Sequence, residues 1–254
     1  MDYKLLAETI YKRKSVRAYA DKPVELLDSA DLTEFFDIRP LIENIKVNIK
    51  VLKTGEVRNN RSEYCIAFYS ERKPLALENI GFIGQQIDLE LQSRGIGTCW
   101  WGMKKPKKDY KSANGLDCVI TMTAGHPKSN KARLYLDGFK RKISADIIIG
   151  DAEPDNLTEA VRIAPSAQNL QPWLIEKIGN RCNFYLKNPK SILERLMGYM
   201  RHIDIGIAMA HFFVQAKADG LDVSFDFEGE ERTEGKFIAS LTAREVLYGK
   251  ENME

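Results

Sequence analysis

Asn79-Ile80-Gly81 returns as Asp204-Ile205-Gly206, a shift of 125 positions from residue 79 to residue 204, and two more strings repeat at that same shift. Gly95-Ile96 is matched by Gly220-Leu221, and Leu32-Thr33-Glu34 by Leu157-Thr158-Glu159. Chance does not hold one register at three separated places. The period is too long for a solenoid, whose units run to roughly 20–50 residues. It suits duplication of a domain whose ancestor was a two-fold dimer. The chain is expected to hold two degenerate repeats, residues 1–138 and 139–254, that form one globular unit.

The first matched string opens the clearest helix. From Glu78 to Arg94, Ile80, Ile83, Ile87 and Leu91 recur at spacings of three and four, and Gly95 stands where a helix end takes a left-handed residue. Its counterpart runs from Arg201 to Asp219, with Ile203, Ile207, Ala210 and Val214 as the stripe and Gly220 as the stop. Both are apolar over more than one face, which places the pair centrally. A short helix is expected over residues 3–12, and another from about Val24 to Phe36, after Pro23. Tyr64-Cys65-Ile66-Ala67-Phe68-Tyr69 reads as a buried strand, and Cys118 to Ala124 and Ile175 to Leu186 supply further strand material. Lysine-rich Lys104 to Asn114 reads as a surface loop, and Gly125 to Gly138 as the connection between halves. The class is α+β.

At 44% hydrophobic and 29% charged residues, with a net charge of +2, the chain has no global field for nucleic acid or a membrane surface. Apolar runs such as Ile147-Ile148-Ile149 fall far short of the ~20 residues of a membrane span. Met1-Asp2-Tyr3-Lys4 carries no apolar signal core, so a cytoplasmic protein is expected. Cys65, Cys99, Cys118 and Cys182 are scattered and read as buried thiols in a reducing compartment. His126, His202 and His211 do not pair at metal spacing, so no metal site is expected. No nucleophile motif and no isolated carboxylate pair appears, so no catalytic side chain is assigned.

Three segments carry chemistry. Arg13-Lys14-Ser15-Val16-Arg17 gathers two guanidiniums, an ammonium and a hydroxyl that can converge on a phosphate, or it is a solvated basic turn at a helix end. Ala164-Pro165-Ser166-Ala167-Gln168-Asn169-Leu170-Gln171-Pro172-Trp173 joins a fixed turn, small residues and short polar groups before a strand; in isolation it could be a plain polar loop. Gly95-Ile96-Gly97-Thr98-Cys99-Trp100-Trp101-Gly102-Met103 follows a helix and lacks the Gly-x-Gly-x-x-Gly spacing, so a Rossmann reading fails, and its tryptophans could be core. Lys131-Ala132-Arg133 is a second basic pair, or a charged linker.

Together these segments resemble the FMN-dependent nitroreductase family, in an internally duplicated, single-chain form similar to Thermotoga-type members. The resemblance implies the nitroreductase-like fold as an intramolecular pseudo-dimer. It implies a flavin phosphate anchor at Arg13, Lys14, Ser15 and Arg17, with a late Lys-x-Arg contact at Lys131 and Arg133. Trp100, Trp101, Gly102 and Met103 would run along the flavin edge, and Pro165, Ser166, Asn169 and Gln171 would cover it from the other half. The first half's own loop, Leu41-Ile42-Glu43-Asn44-Ile45-Lys46, has lost that pattern, Arg141-Lys142-Ile143-Ser144 echoes the anchor without its second arginine, and Gly220-Leu221-Asp222-Val223-Ser224-Phe225 has lost the flavin-edge pattern, so one working site per chain is implied. By resemblance the activity is ping-pong transfer from NADH or NADPH through FMN to a nitroaromatic, a quinone or a similar small molecule. The chain would be a monomer or a weak homodimer. The alternatives are a non-catalytic flavin-storage protein, or a dehalogenase or dehydrogenase whose loop 103–115 positions its substrate.

Overall fold

The computed structural model describes residues 1–29, 31–58, 62–102, 106–129, 142–150 and 153–245. In chain order the first half holds α1 (Tyr3–Lys12), α2 (Glu25–Ser29), α3 (Leu32–Phe35), β1 (Val47–Lys53), β2 (Tyr64–Ser70), α4 (Ala76–Ser93), β3 (Gly97–Trp101), β4 (Ser112–Ala113) and β5 (Leu116–Gly125). The second holds β6 (Ile148–Ile149), α5 (Asn156–Arg162), β7 (Trp173–Ile178), β8 (Arg181–Lys187), α6 (Ile192–Leu196), α7 (Gly198–Ala218), β9 (Leu221–Asp226) and β10 (Gly235–Glu245). Helices and sheets are mixed in both halves, as the expected α+β class requires.

The two sheets share a strand order. The first runs β1-β2-β5-β3, with β4 added to β5; the second runs β7-β8-β10-β9, with β6 added in parallel to β7. At a shift of 125, β1 corresponds to β7, β3 to β9 and much of β5 to β10. Between the sheets lie α4 and α7, both buried over most of their length. One apolar cluster, reaching from Leu6 on α1 to Ala243 on β10, draws on both halves.

The repeated strings sit where these two helices cross. A Cβ on Gly81 would run into the carbonyl oxygen of Ile203, and a Cβ on Gly206 into that of Glu78. Each obstacle is backbone of the opposite helix, and each relation maps onto the other at the 125-residue shift. The same strings clamp a loop in each half. Asn79 Oδ1 accepts from the Leu41 and Ile42 N–H groups at 2.8 and 3.0 Å, and Asp204 Oδ1 accepts from the Ala167 N–H at 3.0 Å. Gly95 and Gly220 adopt φ of +75° and +79° and end their helices left-handed. After α4 the Ile96 N–H reaches Leu91 O and the Gly95 N–H reaches Gln92 O, a complete Schellman cap.

The expected helix from Val24 to Phe36 is two helices. Asp31 accepts from the Thr33 and Glu34 N–H groups and caps a fresh start. Ile175 to Leu186 folds as a hairpin turned at Gly179, φ +60°. Within the expected surface loop, Lys108–Tyr110 forms a helical turn and Ser112–Ala113 pairs with β5, where buried Ala113 covers Leu52, Val57 and Tyr69 on the outer sheet face. Cys65, Cys99 and Cys182 are buried as expected, but Cys118 is half-buried.

Gly206→Ala should lower stability by about 1–3 kcal/mol despite ~1 kcal/mol of helix-propensity gain, because backbone cannot yield as a side chain can. Gly198→Ala, with open space around its Cβ, should be neutral or stabilising in the same urea titration. A stabilised Gly206→Ala protein would refute the close crossing.

Burial pushes the Asp204 carboxyl up to about 8, against the pull of the Ala167 N–H and of Arg201. The folded state therefore holds a proton that the unfolded chain releases near pH 3.8, and stability falls as pH rises between those values. Asp204→Asn installs the residue that stands at position 79. Its stability advantage over the unsubstituted chain should grow from about pH 4 to about pH 8 and then level off. A pH-independent difference in denaturation midpoint would contradict the assignment.

Candidate flavin site between the halves

At the end of α1 the Arg13 N–H still closes onto Thr9 O, but its ψ of 145° sends the chain out extended along the edge of β3. The Val16 N–H donates to Thr98 O at 2.8 Å, and Ser15 lies in parallel register with Thr98. The bare Gly97 permits this, since a Cβ there would strike Val16. Further on, the Ala20 N–H reaches His126 O at 2.7 Å, and the Tyr19 hydroxyl lies 2.7 Å from Thr123 Oγ1.

Arg13 turns inward. Its Nε lies 2.8 Å from Asp88 Oδ2, and both side chains are almost wholly buried. Asp88 also accepts from Gln85 Nε2 at 2.9 Å, from Gln92 Nε2 at 2.8 Å and from the Thr98 hydroxyl. Gln92 Oε1 takes the Lys14 N–H at 3.0 Å, and Gln85 Oε1 takes the Trp100 indole N–H at 3.1 Å. Gln85 Nε2 then meets His211 Nε2 on α7 at 3.2 Å, while His211 Nδ1 lies 2.9 Å from Ala160 O on α5. Since a carbonyl only accepts, Nδ1 carries the His211 proton and Nε2 accepts from Gln85. One buried polar network thus ties the basic motif and β3 of the first half to two helices of the second.

The Ser15 side chain hydrogen-bonds the Cys99 thiol, which also feels the charge of Arg17. Burial pushes the Cys99 thiol up, opposed by the charge of Arg17, a hydrogen bond with Ser15 and the charge of Arg13, so Cys99 is held as a neutral thiol. Exposed Arg17 makes no ion pair among the described residues. At the other end of β3, Trp100 stacks on Phe68 with ring centroids 5.4 Å apart and occupies the space above Gly84. Trp101 is half-buried, and its carbonyl accepts from Thr121 Oγ1 at 3.0 Å. Met103, Lys131 and Arg133 lie outside the described residues.

The second-half loop is strained and self-bonded. Gln168, Asn169 and Gln171 have φ of 50°, 57° and 47°, conformations that cost of order 1–3 kcal/mol each and recur at functional sites. Ser166 Oγ accepts the Gln171 N–H at 2.9 Å. The Gln171 side chain, 1% exposed, bonds Asn169 Oδ1 at 3.0 Å and the Lys142 N–H at 2.9 Å. Gln171 therefore shapes the loop. Pro165 is buried, and Ser166 and Asn169 remain half-exposed.

The segments from opposite halves converge at the start of α7. The Tyr199 hydroxyl donates to Gly102 O at 3.0 Å, and a Cβ on Gly102 would collide with Met200, while the Ala167 N–H is held by Asp204. Met200 and Asp204 are four residues apart, hence on one helix face and about 6 Å apart along the axis. Ser15 stands beside Thr98, four residues or ~13 Å up β3 from Gly102. Gln85, Asp88, Gln92 and His211 belong to none of the three motif segments. Their signal is that they are polar on the two most apolar helices, and that at the 125-residue shift Gln85 and Asp88 face Ala210 and Phe213.

A family model described as "Putative TM nitroreductase" matches residues 5–216. The chain is similar to a Thermotoga maritima structure described as a putative nitroreductase, at 21% identity and TM-score 0.66, covering 93% of each chain. A Desulfitobacterium hafniense nitroreductase with bound FMN matches 52% of this chain and 93% of its own at 15% identity and TM-score 0.39. An FMN-dependent nitroreductase of Clostridium difficile matches 54% and 98% at 12% identity and TM-score 0.41. No curated protein matches. The Thermotoga structure shows the shared fold, and because the family model matches most of the sequence, the chain belongs to the nitroreductase family described as "Putative TM nitroreductase".

Proposed function

We propose that the chain is an FMN-dependent oxidoreductase with one composite site, built from two halves that descend from a duplicated domain. The observation that carries this reading is that Gly102 and Ala167, from opposite halves, are both seated on the first two turns of α7, against Met200 and Asp204. The shared strand order and the reciprocal crossing at Gly81 and Gly206 support descent of residues 1–138 and 139–254 from one ancestor.

The donor set suits a phosphate-bearing flavin. Ser15, Lys14 and Arg17 form the phosphate anchor, joined by Lys131 and Arg133 as the family resemblance implies. Arg13 acts through Asp88, fixing the anchor against β3. The backbone of Trp100, Trp101 and Gly102 would border the ring, joined by Met103 as the family resemblance implies, and Pro165, Ser166 and Asn169 would close it from the second half, with Gln171 holding their loop. Bound there, FMN would supply the redox chemistry, accepting a hydride from NADH or NADPH and passing electrons to a nitroaromatic, a quinone or a similar acceptor.

Protein reconstituted with FMN should be bleached anaerobically by NADH or NADPH and recover its colour on adding a quinone or nitroaromatic. Bound flavin that neither nucleotide reduces would turn the reading towards a flavin carrier. Arg17→Ala should weaken FMN by roughly one to two decades, the worth of a charge-assisted hydrogen bond of about 1.5–3 kcal/mol, with an unchanged denaturation midpoint. Arg13→Ala should instead lose about 3–5 kcal/mol of stability, because it strands a buried carboxylate. Full FMN affinity in Arg17→Ala would overturn the anchor.

A further inference from the structure

A second basic cluster lies in the half that lacks the Arg13–Arg17 motif. Lys142, Lys187, Lys190 and Arg201 line one cavity of about 410 Å³, walled on one side by Leu170 and Pro172. Three of the four cations are held by neutral carbonyls. Lys142 Nζ donates to Leu170 O at 2.6 Å and Gln171 O at 2.9 Å, Lys187 Nζ to Asp146 O at 2.7 Å, and the Arg201 guanidinium to Lys187 O. Among the described residues none of the four has a carboxylate within ion-pair distance. Arg201 is only 4% exposed, and its Nε has no partner there. Asp146 and Glu194 are the lining carboxylates, so four positive charges face two negative ones.

Such an arrangement is costly without a ligand. Desolvation, then the charges of Lys142 and Lys190, push Lys187 down to about 8; desolvation likewise lowers Lys142, opposed by Glu194 and Asp146. Carbonyl bonds fix where the ammonium groups stand but do not neutralise them, and the buried Nε of Arg201 is left as an unspent donor. An anion with several oxygens would satisfy both.

We propose that this cavity binds a phosphate-bearing anion, a pyrophosphate or phosphomonoester group, at a site separate from the Ser15–Arg17 anchor. The Leu170–Pro172 wall offers an apolar face to an organic portion, as a nucleotide would carry. Both residues belong to the loop that presents Ser166 and Asn169, so an occupied cavity braces that loop from behind.

Isothermal titration of the FMN-treated full chain with inorganic pyrophosphate, and separately with adenosine 2′,5′-bisphosphate, tests this. Pyrophosphate should bind at one per chain, about tenfold or more weaker in Lys187→Met/Lys190→Met. It should also weaken between about pH 7 and about pH 9, as Lys187 gives up its proton. The second measurement uses the unsubstituted chain and needs no variant to fold. Tighter binding of the bisphosphate than of pyrophosphate identifies a nucleotide as the source; weaker binding identifies the free anion. Absence of heat, equal affinity in the double variant, or release of bound flavin by pyrophosphate would each overturn the separate site. A chain that takes up no flavin at all still gives the pyrophosphate result, so the two readings fail independently.

Discussion

Backbone contact between α4 and α7 at Gly81 and Gly206 is the constraint from which the rest follows. Helices whose axes are held apart by side chains would sit roughly 8–10 Å from one another; a glycine on each lets the opposite carbonyl fill the place of a side chain. That proximity allows polar side chains of one helix to reach loops and helices of the other half. Gln85 meets His211 and the Tyr199 hydroxyl meets Gly102 O across it, while Asn79 and Asp204, two residues before each glycine, each clamp a loop of their own half. The two sheets then close over the outside of the pair, and a single apolar cluster results.

Near-symmetry in the scaffold makes asymmetry in the site readable. Gln85 and Asp88 lie on α4, and at the 125-residue shift α7 carries Ala210 and Phe213 instead. Burying a carboxylate and a guanidinium together gains little net stability, since desolvation offsets most of their attraction. What the Arg13–Asp88 pair contributes is position. It fixes Lys14 and Ser15 against Thr98, and through Gln85 it ties Trp100 to His211 and α5. The strained loop of the second half is held from the same helix, through Asp204.

How much could be read in advance depended on range. Gly95 and Gly220 are legible because a left-handed helix end is a local requirement, whereas Gly81 and Gly206 show in the sequence only as a repeat, since the backbone each approaches lies on the opposite helix. The central helices are legible from periodicity, and the buried strand at Tyr64 from an unbroken β-type run. Strand β1 alternates openly in Val47-Asn48-Ile49-Lys50-Val51-Leu52-Lys53 and was still passed over. The break at Asp31 depends on one side chain choosing two N–H groups over solvent, which composition does not reveal. The basic motif was visible as a unit, but the diversion of Arg13 depends on a partner 75 residues away. Gln171 was read as a ligand contact from its place in the motif, whereas three hydrogen bonds turn it inward, to Asn169 and Lys142.

In the proposed function two unlike halves within one chain complete a single flavin site. Size-exclusion chromatography with light scattering, read together with flavin absorbance on FMN-saturated protein, tests it most directly. A tethered partner acts at an effective concentration of order millimolar, so no second chain is needed to cover the site. One FMN per chain is expected, on a protein that is monomeric at micromolar concentration. Two flavins per chain, or flavin retained only by a dimer, would contradict it.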